Sequence, residues 1–150
     1  MPQRILQIVT KRCTVCAVVL LFVCSSAQAG DLLIRVEGNG GAASLYLALV
    51  AAEQKDWEPM LRELQGEGEQ LIVKDVPPGQ YALQLFQDSN GNGRLDLSPR
   101  GIPLEPVGFS GNPSLLKGKP TPGGARFEHG EDDTLVDVRL RQPRGGRQAQ

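Results

Sequence analysis

The run Asp88-Ser89-Asn90-Gly91-Asn92-Gly93-Arg94-Leu95-Asp96 holds the densest set of oxygen-bearing side chains with a regular spacing. With Asp88 as position 1, side-chain oxygens fall at positions 1, 3 and 5 (Asp88, Asn90, Asn92). Gly93 stands at 6, the Arg94 carbonyl at 7 and Asp96 at 9, which reproduces the opening of an EF-hand-type calcium loop. The spacing matters because calcium takes about six to eight oxygens at about 2.3–2.6 Å, and alternate residues of a tightly curled loop point inward. Position 12, a bidentate glutamate in the full motif, is Pro99 here. Glu105 is the nearest acidic residue downstream and is the candidate to complete the shell. So few carboxylates imply weak binding, with a Kd of about 0.1–1 mM. The competing reading is a plain turn, since Asn-Gly pairs favour hairpins and Asp and Asn brace turns with their own side chains. The sequence leaves both open.

Two further residues have a chemistry to weigh. Gly108-Phe109-Ser110-Gly111 has part of the nucleophile-elbow pattern, but the last glycine of that motif falls on Asn112. His129 is the only histidine, so a zinc site built from several histidines is excluded and a serine triad would have to use it. It lies in Glu128-His129-Gly130-Glu131-Asp132-Asp133, which has the composition of a solvated turn. A serine hydrolase built on Ser110 and His129 is the enzymatic alternative. A carbohydrate-binding module is another, for which Trp57, Tyr46, Tyr81 and four phenylalanines are the available platforms.

The elements that must position these residues are strands. Leu32, Ile34 and Val36 share one face of a first run, and Leu45, Leu47 and Leu49 share one face of a second, with Gly38 to Gly41 between them. This period-two alternation predicts a hairpin. Leu71 to Val76 forms a third run, Pro77-Pro78-Gly79 has type II turn chemistry, and Tyr81 to Phe86 is a fourth. Ala125 to Glu128 and Leu135 to Leu140 complete the series. Asp56 to Gln65, with Trp57, Met60, Leu61 and Leu64 at helical spacing behind an Asp56 cap, reads as a short helix. Leu97 to Gly124, rich in proline and glycine, is expected to be a long loop facing a partner.

Bulk properties set the class and the compartment. A chain of 150 residues with 40% hydrophobic content fits one ordinary domain, and 18 glycines with 11 prolines punctuate short elements. No long basic block exists to match a phosphate backbone, so nucleic acid is not an expected partner. Arg4, Lys11 and Arg12 precede an uncharged stretch from Cys13 to Cys24, and Ala27-Gln28-Ala29 is a small-x-small cleavage site. Residues 1–29 therefore read as a signal peptide, the uncharged core being well short of the roughly 20 residues of a spanning helix. Its removal takes three of the 16 basic groups and none of the 17 acidic ones, moving the net charge from -1 to -4. All three cysteines (Cys13, Cys16, Cys24) leave with it, so the product holds no disulfide. The expected mature chain is one β-domain over residues 30–141 with a disordered tail over 142–150, periplasmic or secreted and without a membrane span.

The order Asp75-Val76-Pro77-Pro78-Gly79-Gln80-Tyr81, then Asp88 to Asp96, then Gly101-Ile102-Pro103 and Gly108-Phe109-Ser110 resembles the bacterial exported family catalogued as domain of unknown function 2141. The resemblance runs from Leu32 to Leu140 and departs after Ser110, where Gly111-Asn112-Pro113 leads into a lysine- and proline-containing stretch. It implies a β-sandwich with the strand and turn grammar of transthyretin-like and carboxypeptidase regulatory-like domains, and it implies no reaction. The combined expectation is an all-β, antiparallel Greek-key β-sandwich of about seven strands with one short helix. Its expected role is a non-catalytic binding or structural module of the cell envelope. Asp88, Asn90, Asn92, Arg94, Asp96 and Glu105 are its candidate Ca2+ site, and a protein or glycan of the envelope is its partner.

Overall fold

The computed structural model describes residues 29–39 and 43–143, so residues 1–28 of the expected signal peptide and residues 144–150 of the expected tail lie outside the described residues. Eight strands are present among them: β1 Gly30–Glu37, β2 Ser44–Ala51, β3 Arg62–Gly66, β4 Gln70–Val76, β5 Gly79–Asp88, β6 Val107–Phe109, β7 Arg126–His129 and β8 Thr134–Arg139. They form two sheets, one in the order β4-β1-β8 and one in the order β3-β2-β5-β6, with β7 also paired to β5. The protein is all-β, as the alternation implies.

The core lies between the sheets. Leu32, Ile34 and Val36 of β1, Leu71 and Val73 of β4 and Val136 and Val138 of β8 meet Leu45, Leu47 and Leu49 of β2 and Leu83 and Leu85 of β5. Each strand contributes its alternate apolar side chains, and burying both inner faces together removes their surface from water. The expected β1–β2 hairpin is not formed. β1 pairs with β4 and β8, while β2 pairs with β3 and β5. Residues 38–43 separate the two strands in sequence, more than the two residues of the tightest hairpin turns.

One pairing departs from the antiparallel expectation. β1 and β8 run parallel, from Leu32 opposite Thr134 to Glu37 opposite Arg139. A parallel pair needs a long crossover, and here the whole intervening domain supplies it. The register aligns Arg35 with Asp137 (3.5 Å) and Glu37 with Arg139 (3.0 Å) as exposed ion pairs. The Pro77-Pro78-Gly79 segment is also not a type II hairpin turn. It carries the chain from one sheet to the other, Gly79 stays out of the left-handed region, and Asp75 (φ 54°) makes the bend. The Tyr81 hydroxyl then donates to the Pro77 carbonyl (2.8 Å), fixing the entry into β5.

The helix expected over Asp56 to Gln65 is replaced by irregular chain followed by β3. Leu61 N pairs instead with the Leu49 carbonyl on β2 (2.8 Å), which starts the edge strand. Trp57 and Met60 still bury their side chains, but against the outer face of the larger sheet. There Val50, Trp57, Ala82, Val107, Phe109 and Ala125 form a second core. The Leu97–Gly124 segment, expected to be a loop, contains β6 and two short 3-10 helices, Leu115–Lys117 and Pro122–Ala125. It covers the outside of β5, so β2 and β5 bury side chains on both faces.

The far edge of β8 is closed by a side chain. Asn112, in the left-handed region (φ 48°), accepts from Arg139 N (2.7 Å) and donates to the Asp137 carbonyl (3.0 Å), as a neighbouring strand would. β6 packs tightly here. A Cβ on Gly108 would fall 2.7 Å from Val138 Cγ1 and 3.2 Å from the Arg139 carbonyl.

Candidate functional site

β5 ends at Asp88, whose carboxylate is almost completely buried at 3% exposure and faces back into the loop it starts. Its Oδ1 accepts from Gly91 N (2.8 Å) and Asn92 N (3.2 Å), and its Oδ2 accepts from Gly93 N (2.8 Å). Gly91 and Gly93 both adopt φ of 76°, which is what curls these amides inward and what an L side chain would resist. Burial alone would raise the Asp88 pKa. The N–H groups of Gly93, Gly91, Asn92 and Asn90 outweigh it and hold the carboxyl below its usual range.

Asp96 gathers the other side of the loop. Its Oδ2 accepts from Asn90 Nδ2 (2.6 Å) and Asn92 Nδ2 (2.9 Å). The Oδ1 atoms of Asn90 and Asn92 accept from the backbone two residues on, Asn92 N (3.1 Å) and Arg94 N (3.0 Å). Glu105, the nearest acidic residue downstream, returns to this loop. It is 4% exposed, with Oε1 accepting from Ser89 N (2.8 Å) and Oε2 from Asp96 N (3.1 Å). The return path is a small turn within the segment expected to be loop. Leu97 and Pro103 form a bridge, Ser98 N donates to the Ile102 carbonyl (2.8 Å), and Leu104 N donates to the Asp96 carbonyl (2.9 Å). Gly101, at φ 72°, makes the reversal.

Asp88, Asn90, Asn92, Asp96 and Glu105 are thus brought together, with the Arg94 backbone in the same loop and its side chain exposed. Among the described residues no group of three His, Cys, Asp or Glu side chains is gathered as a metal-binding set. A cation here would therefore depend on the asparagine and backbone carbonyl oxygens as much as on carboxylates. Tyr46, a candidate carbohydrate platform but not a candidate of the loop, has its hydroxyl 3.5 Å from where a Gly93 Cβ would stand, and its ring stacks on Phe86 (5.1 Å). The signal was its place opposite Phe86 on neighbouring strands.

The structure does not join Ser110 to His129. Ser110 is fully buried. Its hydroxyl accepts from Leu83 N (2.9 Å) and donates to the Ala125 carbonyl, which ties β5 to the start of β7. His129 is 1% exposed, where the sequence suggested a solvated turn. Its Nε2 meets the Val76 carbonyl (2.8 Å) and its Nδ1 meets the Thr134 hydroxyl (2.7 Å). Both residues spend their polar atoms on the backbone or a neighbouring hydroxyl, so the pair required for nucleophile activation is not assembled. Trp57 is likewise no open platform: its ring packs against Phe109 (5.5 Å), and its Nε1 donates to the Pro120 carbonyl (2.8 Å). Two shallow grooves, of about 240 and 200 Å3, are lined by neither Ser110, His129 nor the 88–105 loop.

The family described as "uncharacterized protein conserved in bacteria" (DUF2141) matches residues 42–137. The chain belongs to the DUF2141 family. The matched span of this DUF2141 chain takes in β2 to β7, the whole 88–105 loop and most of β8, and it starts after β1. No curated protein and no solved structure matches the chain. No helix among the described residues is long and apolar enough to cross a membrane.

Proposed function

We propose that this DUF2141 protein is an exported, non-catalytic β-sandwich module of the bacterial cell envelope, whose 88–105 loop takes calcium and thereby presents the adjoining surface to a protein or glycan. The observation that carries the reading is the return of Glu105: a buried carboxylate, remote in sequence, grips both ends of a loop that already has oxygens at the calcium spacing. A cation seated at this loop would replace the two asparagine side-chain amides that now donate to Asp96, and would draw on Asp88, the asparagine oxygens and the Arg94 carbonyl. Export is supported by the basic, apolar and small-residue order of residues 1–29.

The test uses protein recovered from the periplasm of an expressing bacterium, with its N-terminus expected at Gly30. It is melted in calcium and in chelator beside Asp88→Ala and Glu105→Gln. Calcium at a hundred times its Kd should stabilise the wild type by about 2.7 kcal/mol and leave both variants unchanged. Equal melting temperatures in calcium and chelator would remove the ion from the proposal, and recovery only from the cytoplasm with residues 1–29 attached would remove the envelope.

A further inference from the structure

The same loop contains two Asn-Gly pairs, Asn90-Gly91 and Asn92-Gly93, both exposed. Asparagine followed by glycine is the sequence most prone to self-modification, because glycine has no side chain to hinder its own amide nitrogen from reaching the asparagine Cγ. The reaction needs two things: an amide N–H free to give up its proton, and a side-chain amide free to turn toward it. In this loop both are withheld, and each by one carboxylate. Asp88 accepts from Gly91 N and Gly93 N, the two attacking nitrogens (2.8 Å each). Asp96 accepts from Asn90 Nδ2 and Asn92 Nδ2, the two leaving amides (2.6 and 2.9 Å).

We propose that Asn90 and Asn92 form a paired deamidation site held closed by Asp88 and Asp96, so that opening the loop converts both asparagines to aspartate or isoaspartate. An anionic oxygen against an amide N–H disfavours loss of its proton, and both glycine N–H groups point at the Asp88 carboxylate. When the loop opens, the glycine nitrogen bonds to Cγ and the Cγ–Nδ2 bond breaks. Ammonia leaves carrying the nitrogen's proton, and a five-membered imide remains. Water then adds to one imide carbonyl. Cleavage at Cγ leaves aspartate, and cleavage at the backbone carbonyl leaves isoaspartate, with no change of oxidation state. Each event adds one negative charge. The aspartate product puts carboxylates at positions 3 and 5 of the loop, beside Asp88 and Asp96. The isoaspartate product lengthens the main chain by one methylene and cannot keep the curl.

The test is incubation of the purified protein at mildly alkaline pH, folded and in urea, with charge-variant separation, intact mass and peptide mapping. Asn39-Gly40, a third such pair outside the loop, serves as the internal reference. Folded wild type should retain Asn90 and Asn92 several-fold longer than the urea-unfolded chain. Asp88→Ala should deamidate at Asn90 and Asn92 several-fold faster than folded wild type, with Asn39 unchanged. Acceleration of Asn39 in the variant would report its global unfolding, and the folded-against-urea comparison of the wild type then decides. Loop asparagines that react as fast folded as in urea overturn the proposal, as does a folded Asp88→Ala with the wild-type rate.

Discussion

Replacing Ser110 with alanine removes a single hydroxyl from a fully buried position, and the structure says what that hydroxyl holds. It accepts the Leu83 N–H at 2.9 Å and donates to the Ala125 carbonyl, while Ser110 N donates to the Leu83 carbonyl (2.9 Å) as the last rung of the β5–β6 ladder. Alanine keeps that rung and deletes the rest. A buried donor stranded without a partner costs about 1–3 kcal/mol, and the carbonyl adds less because it has a second lone pair. For a domain of this size about 4 °C of melting temperature corresponds to 1 kcal/mol, so the loss should be about 4–12 °C. The assay is thermal unfolding by circular dichroism, with Glu53→Ala as control. Glu53 is exposed and should stay within the about 0.5 kcal/mol usual for surface changes. A catalytic serine would behave in the opposite way, since its removal abolishes turnover and leaves stability intact or improved. Ser110→Ala melting with the wild type would refute the reasoning that this residue is a structural tie.

Acid unfolding should follow two carboxylates. The Asp75 N–H and then the Lys74 ammonium hold Asp31 below its usual pKa, and the loop amides do so for Asp88 against the cost of burial. Groups lowered in the folded state contribute stability that is present above the unfolded value of about 3.9 and is lost as pH falls through the folded value. Melting temperature should thus be flat at neutral pH and fall below about pH 4, and the fall should be shallower in Asp31→Asn and Asp88→Asn. Gly108→Ala should cost about 1–3 kcal/mol through the clash with Val138 and the Arg139 carbonyl, read as a lowered midpoint in urea with an unchanged slope.

The strands were legible because each has a core face and the side-chain period is two. Leu32, Ile34 and Val36 could be assigned to one face with no knowledge of what they meet. Which strand they meet was not legible, because alternation is blind to partners: β1 and β2 look like a hairpin and are opposite walls. The Asp56–Gln65 segment misled for a related reason. Apolar residues at helical spacing report only that several side chains are buried, and Trp57 and Met60 achieve this from irregular chain against a second core. The loop spacing placed Asp88, Asn90, Asn92 and Asp96 together, and the choice of Glu105 over Pro99 rested on chemistry alone. The Leu97–Pro103 turn that brings Glu105 home left only Gly101 as a trace. His129 was misplaced because its neighbours in sequence are charged while its neighbours in space are Tyr81, Val76 and Thr134.

The side-by-side alignment of β1 with β8 has a consequence for how the molecule is made. Polypeptides leave the ribosome, or thread a translocation channel, from the amino end onward. β1 sits in the middle of its sheet and must therefore wait, with one flank unsatisfied, until Thr134–Arg139 has emerged. Contacts between such distant stretches form slowly, since a long intervening chain has to be ordered before they repay it. The smaller sheet can close only after Thr134–Arg139 has been made, and the nascent chain must keep that side of β1 open until then.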